Sequence, residues 1–247
     1  MTAFLPGHRR SFAFAILIAV LSASPLLAQD IAINLGGSDS LSGRTIQLLL
    51  LMTVLSLVPG LAVMVTCFPF IVTVLSILRQ AIGLQQAPPN MLIISLALFL
   101  TWFVMDPVLR EAWVRGLEPL SLGTMDMQTA FTETMIPFRG FMAARLDPDT
   151  FTALANLRQV SGTAPVDAPL SLLIPSFLLS EIARAFEIGF LIYLPFLVID
   201  LVTSAILMSM GMMMVPPAVV SLPFKLAFFV VADGWALISS ALVRGYM

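Results

Sequence analysis

From Thr45 to Leu78 the chain carries no charged side chain, a run well beyond the roughly 20 apolar residues that a membrane-spanning helix needs. Pro59-Gly60 and Pro69 fall inside it, so the pattern predicts a kinked or divided helix. Arg79 ends the run. The polar connection "QAIGLQQAPPN" follows, with Pro88-Pro89-Asn90 marking a turn and a helix start ahead of a second apolar block, Met91–Met105. Residues 45–105 therefore read as a helical hairpin. Residues 106–168 change character, with Arg and acidic residues, glycines and prolines throughout, and read as a compact extramembrane segment that is helical in parts, such as Met127–Leu146. Two further apolar blocks, Leu170–Ile199 and Leu201–Val243, make a second hairpin over residues 169–247. Pro175, Pro195, Pro216-Pro217 and Pro223 predict repeatedly broken helices there, and broken helices at membrane depth must be buried in protein or line a cavity.

Composition fixes the class. The chain has 247 residues, of which 59% are hydrophobic and 11% charged, and its mean hydropathy is +1.02, far from a soluble domain's usual quarter of charged residues. The expected fold class is all-α and of integral membrane type. The net charge is −2 and Lys225 is the single lysine, so there is no basic patch with interleaved aromatics and nucleic acid is not an expected partner. The one cysteine, Cys67, cannot close a disulfide within the chain and reads as a small buried hydrophobe.

The N-terminus looks like a targeting segment. His8, Arg9 and Arg10 precede the apolar stretch Phe12–Leu21 and the small residues Ser22–Ala28, so residues 1–28 read as a signal peptide cleaved after Ala28. Leu26 is bulkier than the residue usual three positions from the end of such a site, which leaves a retained anchor as the alternative. Arg9-Arg10-Ser11-Phe12 echoes a twin-arginine signal, although the apolar spans that follow suit ordinary cotranslational insertion. Residues 29–44 then form a periplasmic N-terminal segment. The acidic balance of residues 106–168 favours the outer side, and Arg79 favours the inner side for the connection it opens. The two cues agree.

Removing residues 1–28 removes His8, the only histidine. A Ser-His-Asp triad, a Cys-His pair, an H-E-x-x-H zinc site and a 2-His-1-carboxylate iron site then fall together. Gly36-Gly37 is an isolated pair without phosphate-loop spacing. The inventory predicts neither an enzyme nor a cofactor.

Charges inside the second hairpin are its chemical peculiarity. Glu181, Arg184 and Glu187 stand at i, i+3 and i+6, and Asp200, Lys225 and Asp233 also lie in apolar surroundings. Ionisable groups at membrane depth face a partner or a water-filled path. One reading makes Glu181 and Arg184 a structural pair that locks helices; another places some of these groups along a conduit. Spacing alone leaves both open. The stretch "SMGMMMVPPAVV" adds Met212, Met213 and Met214 between a glycine and two prolines. Three consecutive methionines cannot all face one side of a helix. Their alternatives are adaptable core filler and a flexible exposed lining.

Three stretches, "ILRQAIGLQQAPPNMLIISLALFLTWFVM" (Ile77–Met105), "SEIARAFEIGFLIYLPFLVIDLV" (Ser180–Val202) and "MGMMMVPPAVVSLPFKLAFFVVADGW" (Met210–Trp235), closely resemble the FliP family of the flagellar type III secretion export gate. The likeness covers nearly the whole mature chain. It implies several copies, five in the family, assembled helically with FliQ-like and FliR-like subunits into a conical gate. That gate would work with the other membrane proteins of the export apparatus, in the inner membrane at the flagellar basal body and partly on the periplasmic side. Unfolded flagellar proteins would be the cargo, and membrane lipid a further contact. The resemblance implies that Met212, Met213 and Met214 form a gasket at the narrowest part of the channel. It places Phe141 in "RGFMAAR" and Phe151 at an outer, plug-forming end. Glu181 matches a glutamate near subunit contacts, and Arg184 stands where a lysine is common. Cys67-Phe68-Pro69-Phe70 departs from the Ser-Phe-Thr-Arg of many relatives, so a cationic contact is missing there.

Two functional classes follow. The first is a non-enzymatic, pore-forming subunit of a protein export gate; the second is a proton-coupled secondary transporter using Asp200, Asp233, Glu181 or Glu187 as a relay. A pure assembly factor would differ from the first only in not lining the pore.

Overall fold

The computed structural model describes residues 41–84, 87–160, 162–212 and 214–246. The expected signal peptide, residues 29–40 of the expected N-terminal segment, and Met213 lie outside the described residues. Two compact units are distinguished. Of the first, Met1–Leu50, the described part is the opening of helix α1, whose Ile46 and Leu48–Leu50 are exposed. The second unit, Leu51–Met247, contains the core.

All regular structure among the described residues is helical. Helix α1 (Leu41–Met64) is followed after a three-residue break by α2 (Phe68–Ile82), with Pro69 in the first turn of α2. Pro is tolerated there because the N–H it lacks would have no intrahelical acceptor. The predicted division of the first apolar run is therefore found. Helix α2 is the centre of the fold: Phe70, Ile71, Val74, Leu75, Leu78, Ala81 and Ile82 are buried on it. It ends at Gly83, whose φ of +89° is the left-handed closure that glycine adopts without a Cβ penalty.

Helix α3 starts at Asn90, as the Pro-Pro-Asn turn predicts, and continues to Ala112 through Pro107. A π-helical turn, Trp113–Leu117, and the short α4 (Glu118–Ser121) extend it without a break. The helical rod that begins in the first hairpin thus passes well beyond Met105. Gly116 packs so closely on the next helix that an added Cβ would lie 2.0 Å from Thr134 Oγ1 and 2.6 Å from the Ala130 carbonyl oxygen.

The chain then folds back as α5 (Met127–Arg145) and α6 (Pro148–Leu157). Each is started by an aspartate: the Asp126 carboxylate accepts from the Gln128 and Thr129 amides, and that of Asp147 from the Thr150 amide. These bonds satisfy amides that a helix start leaves without acceptors. Arg139 fastens α5 to the strap before the next helix, donating to the carbonyl of Ala168 at 2.7 Å.

Helix α7 (Leu170–Ser209) is 40 residues long and runs straight through Asp200, so the boundary expected between the third and fourth apolar blocks is not a break. Pro175 and Pro195 lie inside it and Pro223 inside α8 (Pro217–Val231). This corrects the expectation of repeatedly broken helices: a proline removes one backbone bond, and long apolar helices absorb that loss where neighbours hold the rod. Ser176, Ser180 and Thr203 keep their buried hydroxyls satisfied by donating to carbonyls four residues back. True breaks occur at Gly211–Pro216 and at Ala232-Asp233, where α8 and α9 (Gly234–Arg244) meet at 61°. Helices α7 and α2 approach closely at Gly189, where a Cβ would stand 2.4 Å from Ile77 Cδ1. Two rods, Asn90–Ser121 and Leu170–Ser209, are long and apolar enough to cross a membrane, and the bent α8–α9 pair makes a third if counted as one span.

Candidate functional site

The methionine turn is built by the end of α7. Gly211 takes φ +73°, its amide donates to the Met208 carbonyl at 3.0 Å, and the Met212 amide donates to the Leu207 carbonyl at 3.0 Å. This paired closure is a Schellman cap, and it turns the chain out of the helix at Met212. Pro217 starts α8 with Pro216 before it, so the turn is bounded by a left-handed glycine on one side and prolines on the other. Met212 is 41% exposed and Met214 97%. Met208 and Met210 are exposed on the last turn of α7, so the flexible apolar surface is wider than the three methionines that the sequence singles out.

Behind this turn the hairpin is clamped by charge. Lys225 on α8 is buried; its Nζ lies 2.6 Å from Asp200 Oδ2 on α7 and donates to the Ala81 carbonyl of α2 at 3.1 Å. Ser221, one turn before Lys225, donates to Asp200 Oδ1 at 2.6 Å. The ammonium thereby meets both a carboxylate and the negative end of the α2 dipole. Three helices share one buried cation.

Glu181 is fully buried, and its partner is not Arg184. Arg145, from the end of α5, reaches it with Nε at 3.1 Å, and the Tyr246 hydroxyl donates to its other carboxylate oxygen. Arg145 also donates to the Gly245 carbonyl at 2.6 Å and stacks over the Tyr246 ring at 4.0 Å. The tail after α9 is thus held against α5 and α7. Phe70 packs edge-on against Tyr246 with centroids 5.5 Å apart.

Phe141 is half-buried, stacked on Tyr246 and edge-on to Phe177. Phe151 is buried with Ala155, Ala168 and Leu172. Both rings face the interior of their own chain. Arg184 is half-buried, whereas Glu187 and Asp233 are exposed. Asp233 occupies the left-handed corner between α8 and α9, with φ +47°. At the start of α6, the Asp147 carboxyl is held below the usual carboxylate range, chiefly by the hydrogen bonds from the Thr150 hydroxyl and amide, with a smaller contribution from the charge of Arg184. Asp126 is depressed in the same way by Thr129. Among the described residues no group of three or more His, Cys, Asp or Glu side chains is arranged to hold a metal.

The family model for the FliP family matches residues 51–242. "Flagellar biosynthetic protein FliP" of Caulobacter vibrioides is 46% identical over 233 residues, covering 94% of this chain and 88% of that protein. The protein of the same name from Agrobacterium fabrum is 46% identical over 242 residues, covering 94% and 98%, and that from Bacillus subtilis 42% over 203 residues, covering 82% and 92%. Relatives with this name do not support the proton-coupled transporter reading.

Proposed function

Because the chain belongs to the FliP family of the flagellar export apparatus, we propose that it is a pore-forming core subunit of the type III export gate that passes unfolded flagellar proteins across the inner membrane. Several copies, five by family resemblance, surround one path together with FliQ-like and FliR-like subunits and other membrane proteins of the export apparatus. The outer segment α5–α6 faces the periplasm within the basal body. The subunit performs no catalysis of its own, and energy comes from other components.

The observation that carries this reading is the methionine turn: Met214 is 97% exposed on a hairpin tip whose base is fixed by Lys225 and Asp200. Methionine is unbranched, with a soft polarizable sulfur, so a ring of such side chains closes against water and yields to a passing chain. A rigid stem under a soft tip is what a seal requires. Met212, Met213 and Met214 form the gasket, with Met208 and Met210 beside it. Phe141 and Phe151 act at the outer end through the packing that shapes α5 and α6.

The test is small-solute leakage across the cell membrane with Met212, Met213 and Met214 all changed to alanine, read beside assembly of the gate. Raised leakage with assembly intact is expected. Unchanged leakage with normal assembly would make these methionines packing residues and remove the gasket.

A further inference from the structure

Between α7 and α9 lies a groove of about 490 Å³. Arg145 ties Gly245 to Glu181 at one end of the two helices, and Phe229 joins Phe196 to Trp235 at the other, so α7 and α9 pass each other antiparallel. The groove walls are one face of each: Ile188 and Ile192 of α7 opposite Leu237 and Ile238 of α9. Arg184 to Ile192 and Leu237 to Gly245 are eight-residue steps, about 12 Å at 1.5 Å per residue. The arginine end alone is polar, because Arg145 and Arg184 both line it. That end is balanced in charge. Arg145 is bonded to the buried Glu181, Arg184 stands near enough to Asp147 for its charge to be felt there, and the exposed Glu187 is one turn further along α7.

A cavity walled by aliphatic side chains stays dry and takes apolar ligands; about 150 Å³ is enough for benzene. An extended peptide would bring amides to walls of Ile and Leu that offer them no partner, at a cost of about 1–3 kcal/mol each. A helix is about 10–12 Å across, whereas about 490 Å³ spread over about 12 Å gives a groove only about 7 Å wide. An acyl chain is narrow and carries no polar atom. The arginine end then selects the headgroup. Arginine binds phosphate through paired N–H donors, but a lipid of net negative charge would also meet the carboxylates beside those arginines. A headgroup holding both a phosphate and an ammonium satisfies both signs. We infer that this groove binds a zwitterionic, ammonium-bearing phospholipid, with one acyl chain between α7 and α9 and its phosphate at Arg145 and Arg184. The leaflet rests on the gate reading: with α5 and α6 on the periplasmic side, the arginine end points outward, as a lipid of the outer leaflet of the inner membrane requires.

The experiment counts bound lipid by native mass spectrometry on the full chain purified with its gate subunits in mild detergent. The delipidated complex is titrated with phosphatidylethanolamine or with phosphatidylglycerol of the same acyl chains. Phosphatidylethanolamine should bind about tenfold more tightly. Ala241 lines the groove, and Ala241→Phe places a ring in it; binding should fall about tenfold. Ala236→Phe, at an exposed position of α9 off the groove, should bind as wild type does. Arg184→Gln leaves the groove open and should erase the preference between the two lipids. That variant and the wild-type comparison carry the test if Ala241→Phe fails to assemble. Equal binding of the two lipids by wild type, full binding by Ala241→Phe, or an undiminished preference in Arg184→Gln would overturn the site. Binding of neither lipid would overturn it as well, and would mean that a protein segment of the assembled gate fills the groove. Wild-type chain that never forms a multi-copy particle would remove the gate reading instead, and lipid counted on the single chain would still decide the groove.

Discussion

Lys225 Nζ lies 2.6 Å from Asp200 Oδ2, joining the two arms of the hairpin that carries the methionine turn. The same ammonium donates to the Ala81 carbonyl, so the clamp also fixes the hairpin to the central helix α2. Asp200 stands nine positions before the end of α7 at Ser209, about 13.5 Å along the helix. The polar lock is therefore set well back from the exposed methionine turn.

Removing the cation leaves Asp200 facing α8 with only Ser221 as partner. Lys225→Met should destabilise the folded subunit by about 2 kcal/mol, below the 3–5 kcal/mol typical of a broken buried pair because the Asp200 side chain is 34% exposed. The double variant Lys225→Met with Asp200→Asn should recover part of that loss. Thermal unfolding of the detergent-solubilised complex checks this, and equal losses in single and double variants would show that the two charges act independently.

The fully buried Glu181 depends on the end of the chain. Tyr246→Phe keeps the ring against Phe70, Phe141 and Arg145 but removes the hydroxyl that serves one carboxylate oxygen. An unsatisfied buried acceptor of this kind costs about 1–3 kcal/mol. The unfolding midpoint should fall accordingly, and deleting Tyr246 together with Met247 should lower it further because the ring contacts go as well. A phenylalanine variant as stable as wild type would show that water reaches Glu181.

Much of this architecture is legible along the chain because its punctuation is local. The Pro89-Asn90 start, Pro69 in the first turn of α2, the Gly211 closure and the Pro217 start each follow from backbone restrictions within one or two residues. Helix α5 begins at Met127 as expected because Asp126 caps it. What hides is whatever depends on residues distant in sequence. Arg145 and Glu181 are 36 positions apart, so Arg184, three positions away, looked like the natural partner. Asp200 looked like an interruption because its cation arrives from another helix, and once paired it leaves α7 unbroken.

Gly116 tests how tightly the long rod seats on α5. In Gly116→Ala the new methyl would lie 2.0 Å from Thr134 Oγ1 and 2.6 Å from the Ala130 carbonyl. The hydroxyl can rotate away, but the backbone oxygen can move only with α5. Overpacking of this kind costs about 1–3 kcal/mol, and the variant should expose α5 to limited proteolysis at lower temperature than wild type. Identical proteolysis profiles would mean that the π-helical turn relaxes to make room.

The Asp147 cap gives a pH signature at the start of α6. Its carboxyl is depressed in the folded chain by Thr150 first and by Arg184 in smaller part, so the charged form stabilises the fold. A group whose folded value lies below its unfolded value of about 3.9 contributes fully above that value, and the contribution disappears as pH falls through the lower, folded one. Asp147→Asn keeps an amide oxygen able to cap α6 but has no charge to lose. The difference in unfolding midpoint between wild type and this variant should be constant above about pH 5 and close progressively below about pH 4. Arg184→Gln should shrink that difference without abolishing it, because the Thr150 bonds remain. A difference that grows on acidification would mean that the protonated form of Asp147 is the one the fold prefers, and the cap would have to be reassigned to neutral hydrogen bonding alone.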